Sequence, residues 1–79
     1  MLGISTLEEN SLQPNLVDIV SDSEIYLGFA NNGDESKCAI VKISTTGTEK
    51  RFLCPENGIF DFSHNWADRA SYTYQLRKI

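Results

Sequence analysis

His64 is the chain's single histidine, and histidine is the side chain whose ordinary titration falls near neutral pH. A proton-transfer reaction would therefore have to run through it. A nucleophilic site would pair the ring with a thiol, Cys38 or Cys54, or with a hydroxyl, Ser63 or Ser71. It would then orient the ring through a carboxylate such as Asp61 or Asp68. No spacing characteristic of such a site is present, and a serine next to a histidine in sequence does not set hydroxyl against imidazole. The residues predict a turn or surface histidine and no catalytic residue. Cys38 and Cys54 stand too far apart for a close metal-binding pair, and only His64 is left to join them. Structural zinc takes four ligands at short paired spacings, so no metal is expected. Two buried thiols are expected rather than a disulfide. The "GTEK" stretch at Gly47 lacks the spacing of a phosphate-binding loop, and neither a cofactor nor a small-molecule ligand is expected.

The densest chemistry lies in "FSHNWADRASYTY", from Phe62 to Tyr74. A lone tryptophan in a small domain anchors a core, because the indole buries a large apolar area, or it serves as an interface hot spot. Asp68 and Arg69 suit a turn: a carboxylate accepts backbone N–H groups and a guanidinium donates to carbonyls. Tyr26, Phe52, Tyr72 and Tyr74 have the ring faces on which single-stranded bases stack. Eleven acidic residues against seven basic ones leave a net charge of −4, which argues against nucleic acid.

These residues must be positioned by few elements, since 79 residues make one domain. Residues 1–15 read as an extended arm that Pro14 keeps from being helical, and residues 16–79 as a single small β domain. "NLVDIV" and "EIYLGFA" alternate as strands around the turn residues "SDS". In the second strand Ile25, Leu27 and Phe29 share one face, Tyr26 and Gly28 the other, and Gly28 signals a bulge or a close neighbouring backbone. Asn31 to Ser36 form a polar loop containing Asn-Gly. "KCAIVKISTTGTEKRFLC" is a hairpin with two competing registers. A three-residue loop ending at Gly47 satisfies the need for a left-handed residue and sets Cys38 across from Cys54. A two-residue loop at Thr46-Gly47 gives a cleaner face, Ala39, Val41 and Ile43 beside Phe52 and Cys54, but strains Thr46. "PENG" is a turn, "SHNWADRA" up to two helical turns capped by Ser63, and "SYTYQLRKI" a last strand. The fold class is mainly β: a small antiparallel barrel or sandwich of about five short strands, with one short helical turn before the last. No stretch is apolar and long enough to span a bilayer. The N-terminus lacks the basic start and apolar run of a secretory signal, so synthesis and use in a cytosol, or assembly there before release, is expected.

Five pieces follow one another along the chain: "VDIV" with Val17 and Asp18, "YLGFA" from Tyr26 to Ala30, "VKI" from Val41, "TGT" around Gly47, and "FSHNWADRASYTY". From Val17 to about Tyr74 this succession resembles a group of short proteins of tailed bacteriophages, most specifically in Phe62, Trp66, Asp68, Arg69, Ala70, Ser71 and Tyr74. It departs where such strands often carry a tryptophan before their basic residue. Here the strand reads "CAIVKI", leaving Phe52 or Cys38 to fill the space. The resemblance implies that Tyr26, Gly28, Gly47, Phe62, Trp66, Asp68, Arg69, Ser71 and Tyr74 are a fold signature rather than a reaction site. Trp66 would plug the core, and Asp68–Arg69 would fix the turn into the last strand. It further implies a non-enzymatic virion component at capsid, neck or tail, partnered by other phage virion proteins and by copies of itself, with no membrane or nucleic-acid partner. The alternative is a small β module that binds or inhibits a host protein.

Overall fold

The computed structural model describes residues 13–78, so the arm expected over 1–15 lies outside the described residues except for Gln13–Asn15. Alternating β-branched and aromatic side chains form five antiparallel strands: β1 (Leu16–Ser21), β2 (Glu24–Asn31), β3 (Asp34–Thr46), β4 (Glu49–Pro55) and β5 (Tyr74–Leu76). They make one sheet in the order β1-β2-β3-β4-β5, a meander in which each strand pairs with its sequence neighbour. Between β4 and β5 the chain makes a single 3-10 turn, Trp66–Asp68. The fold is thus mainly β with a helical turn before the last strand, as the sequence predicts. The sheet stays open rather than closing into a barrel, with β1 and β5 as its edges.

Tyr26, Gly28, Ile40 and Cys38 are buried on one face, here called inner, and Trp66 lies over them. Leu16, Ala30, Tyr72 and Tyr74 pack around this cluster. In a flat sheet three steps of about 4.8 Å would separate β2 from β5. Yet the Tyr26 and Tyr74 ring centroids are 5.8 Å apart, so the sheet curls around its inner face. Gly28 makes the approach of Trp66 possible. A Cβ at this position would lie 2.6 Å from Cε3 of the indole and 3.2 Å from the Leu16 Cβ.

Several local expectations are corrected. Gly28 is neither a bulge nor a point of backbone approach; its neighbour is the Trp66 ring, and the register shifts lie elsewhere, between Ile19 and Ser21 and between Ala30 and Asn31. The polar loop over Asn31–Ser36 shrinks to a two-residue turn. Asn32 at φ 53° and Gly33 at φ 77° both take positive φ, which matches the twist of the flanking strands. The strand then resumes at Asp34 with a wide bulge, in which Asn31 pairs with Asp34 but Ala30 pairs with Cys38. Asp34 Oδ1 holds the bulge by accepting from the Ser36 N–H (3.0 Å) and hydroxyl (2.6 Å).

Neither anticipated hairpin register occurs. Thr46 pairs with Glu49 and Lys42 with Leu53, so Gly47 and Thr48 form the loop. Gly47 takes φ 62° at the first turn position, which keeps every threonine at negative φ. Cys38 therefore does not face Cys54; its main chain bridges His64 instead. Both cysteines are free and buried, as expected. The helical segment is shorter than two turns and is capped by Asn65, whose Oδ1 accepts from the Ala67 N–H at 3.0 Å, while Ser63 lies ahead of it. The last strand covers only Tyr74–Leu76 of the expected stretch.

Gly28→Ala is expected to destabilise the fold by about 1–3 kcal/mol, the usual cost of forcing a methyl into a filled site. Urea unfolding followed by Trp66 fluorescence reads this as a lower midpoint. An unchanged midpoint would mean that the indole is free to shift.

Candidate functional site

His64 is buried, not on the surface as its isolation in sequence led one to expect. Its main chain is built into the sheet: the Cys38 N–H donates to the His64 carbonyl at 2.6 Å, and the His64 N–H to the Cys38 carbonyl at 3.0 Å. Its ring meets the Tyr72 ring edge to face at 5.0 Å. Glu56 stands 3.6 Å from Nε2 and Asp61 3.5 Å from Nδ1, without a hydrogen bond to the buried Nδ1. Neither candidate serine hydroxyl is bonded to the ring. The Ser63 hydroxyl donates to Asp61 Oδ1 at 2.5 Å, and the Ser71 hydroxyl to the Asp68 carbonyl at 2.7 Å. Burial pushes the Cys38 and Cys54 thiols above their ordinary range, so both stay protonated at neutral pH. The structure thus brings His64 to two carboxylates but ties both candidate hydroxyls to other partners.

Gly28, Arg69 and Tyr74, three of the residues expected as a fold signature, gather around Trp66. The indole rests on Gly28, and the Arg69 guanidinium lies 4.6 Å from the ring centroid. Arg69 Nη1 donates to the Trp66 carbonyl at 3.0 Å, and Nε donates to Asp18 Oδ2 at 3.0 Å. Asp18 lies on β1, so this pair ties the 3-10 turn to the first strand. The guanidinium-to-carbonyl bond was legible from the sequence, but the carboxylate partner was not. Arg69 pairs with Asp18, and Asp68 is exposed with no side-chain hydrogen bond or ion pair among the described residues. What Asp68 contributes is its carbonyl, which accepts from both the N–H and the hydroxyl of Ser71. The Tyr74 hydroxyl donates to the Arg69 carbonyl at 2.6 Å, and the Tyr72 hydroxyl accepts from the Asn65 N–H at 2.9 Å. Phe62 stands apart from this group: it is 46% exposed and packs edge to face on Phe60.

Beside the clamp, the Tyr26 hydroxyl donates to Glu24 at 2.8 Å, and Lys42 reaches the same carboxylate at 3.3 Å. The hydrogen bond from Tyr26, then that from Lys42, holds Glu24 below the usual carboxylate range. Lys42 also lies over the Tyr26 and Tyr74 rings, at 5.7 and 5.5 Å from their centroids. Burial, reinforced by the bond to Glu24, pushes Tyr26 up to about 12. Burial also raises Tyr74.

The second candidate is the opposite, outer face, which the sequence did not single out as a site. Ile19 pairs with Ile25, Ile25 with Ile43, and Ile43 with Phe52, so one apolar rung crosses four strands. Val17, Leu27 and Val41 make a second rung beside it. The first rung meets solvent at both ends and the second at one: Ile19 is 67%, Phe52 45% and Val17 56% exposed, while Val41 is buried. Contiguous apolar surface of this kind marks interaction sites in soluble proteins. Among the described residues no group of three or more His, Cys, Asp or Glu side chains could hold a metal ion, and no helix is long and apolar enough to cross a membrane. No protein-family model matches the chain, and neither the curated proteins nor the solved structures contain a match.

Two outcomes test the clamp. A double-mutant cycle of Asp18→Asn and Arg69→Met should return a coupling of about 1 kcal/mol, as expected of a half-buried, hydrogen-bonded pair. Additive losses would mean that the two side chains act independently. For the tyrosines, the unfolded chain ionises near 10, whereas the fold prefers them neutral. Their stabilisation is complete below the unfolded value and disappears as pH climbs to the folded one. The urea midpoint should therefore fall between pH 10 and about 12, the value reached by Tyr26. A level midpoint across that window would show that both hydroxyls are solvated in the fold.

Proposed function

We propose that this chain is a non-enzymatic structural component of a tailed-phage virion, associated with capsid, neck or tail and acting through contacts with other virion subunits and with its own copies. The observation that carries the reading is the apolar outer face, where the rung from Ile19 to Phe52 ends in exposed side chains on both sides. Burying such surface against a neighbour is the dominant favourable term in protein association. The phage-like signature adds support. Trp66, Arg69, Ser71 and Tyr74 belong to one bonded unit that holds the sheet in shape, which is the work of a fold signature. His64 is likewise part of the sheet through its main chain.

A host-binding module is the alternative, and the net charge of −4 favours it to the extent that an acidic surface suits a partner with a basic site. Mass spectrometry of density-banded particles, set against the soluble fraction of the same lysate, separates the two. The structural reading expects the chain in the band at a reproducible copy number. A chain confined to the soluble fraction, in stoichiometric complex with a host protein, would replace it with the alternative.

A further inference from the structure

We propose that two copies of this chain join through β1, edge to edge and antiparallel across a two-fold axis, so that their sheets become one ten-stranded sheet. The inference rests on the homo-oligomer part of the function proposed above and supplies its seam. β1 is a sheet edge whose outer side has no strand paired to it among the described residues. Proteins usually protect such an edge with lysine, proline, a bulge, an uncompensated inward-pointing charge or extreme shortness. β1 has six residues, Leu-Val-Asp-Ile-Val-Ser, with neither lysine nor proline, and its one register shift lies at the turn end. Three of its four exposed residues are apolar, Val17, Ile19 and Val20, and the fourth is Ser21 at the turn end.

Charge selects a second copy as the occupant. The chain carries −4 overall, so most contacts between two copies would set acid against acid. The β1 edge is the exception. Its single charge, Asp18, points to the inner face and is already compensated by Arg69 of the same chain at 3.0 Å. A two-fold axis through Val17 or through Ile19 sets that side chain against its own counterpart. It keeps the outer faces of both copies on one side and places the two Asp18 carboxylates off each other. Main-chain hydrogen bonds across the seam satisfy the edge, and the apolar rungs run on from one copy into the next. The other edge, β5, has only three residues and is followed by Arg77 and Lys78, so it offers a much shorter ladder.

The test uses the full chain. Sedimentation equilibrium should give twice the chain mass, falling to the monomer on dilution. Ile19→Lys places a charge on the seam at a position that is 67% exposed, so the monomer keeps its fold; circular dichroism and the urea midpoint check this. The variant should weaken association at least tenfold. As a second readout, Val17→Cys or Ile19→Cys, whichever residue lies on the axis, should form a disulfide-linked dimer with diamide, whereas Asn57→Cys in the exposed turn should not. Cys38 and Cys54 are fully buried and do not compete. A full chain that stays monomeric at millimolar concentration overturns the proposal, leaving another segment or another protein as the occupant of this edge. Masses that climb beyond two copies overturn the two-fold arrangement in favour of β1-to-β5 stacking. All of these readouts are made on purified protein, so they stand or fall separately from the presence of the chain in particles.

Discussion

The placement of Trp66 on Gly28 is the contact on which the other features depend. A single sheet made from so short a chain has two faces to cover and little chain to cover them with. The crossing between β4 and β5 solves this for one face by laying the indole where β2 has no side chain. Burying an aromatic side chain contributes roughly 1.5–3 kcal/mol, a large share of what a domain of this size has in total. The approach also dictates the local geometry around it. Asn65 caps the turn that carries Trp66, Arg69 lies over the ring and bonds its carbonyl, and Tyr74 holds the Arg69 carbonyl in turn. Asp18 then draws β1 toward the same point, so that an otherwise flat meander curls until Tyr26 and Tyr74 touch.

The same arrangement explains why the outer face is left partly open. The crossing segment lays Trp66 on the inner face and only part of its length on the outer one, where Phe60 meets Phe29 and where Ala39, Val41 and Cys54 are buried, while among the described residues Val17, Ile19 and Phe52 end their rungs in solvent. A chain with two apolar faces and one covering segment has a physical reason to seek partners, and β1 presents both unpaired main chain and apolar side chains at the same border. Assembly offsets what the small core lacks, which links the packing around Trp66 to the proposed role in a particle.

The polar groups follow a consistent logic. The hydroxyls around the crossing segment and the main chain of His64 are fastened to carbonyls, a carboxylate or the sheet rather than aimed at a common point. The Tyr74 hydroxyl goes to a carbonyl, Ser71 to a carbonyl, Ser63 to Asp61, and His64 sits in a β-bridge. In a low-dielectric interior such bonds are costly to leave unmade, so a small domain directs its few buried polar groups toward holding its shape. The His64 Nδ1, buried without a hydrogen bond beside Asp61, is the departure from that rule.

The sequence by itself determined the number of strands, their antiparallel class, a reversal at Asn-Gly though not its length, and the role of Trp66 as anchor. Each of these depends on alternation or turn chemistry within a few neighbouring residues, and such local preferences survive folding. The hairpin register escaped it because Gly47 satisfies the turn in more than one position, and only the pairing of β3 with β4 and with the crossing segment selects Thr46 opposite Glu49. The extent of the helical segment, the burial of His64 and the partner of Arg69 were likewise settled by tertiary structure. Asp18 and Arg69 are fifty-one residues apart in sequence, so nothing near either residue points to the other. No local pattern encodes a contact between an edge strand and a distant turn. It exists because the indole must lie on Gly28, and that position brings the guanidinium within reach of β1.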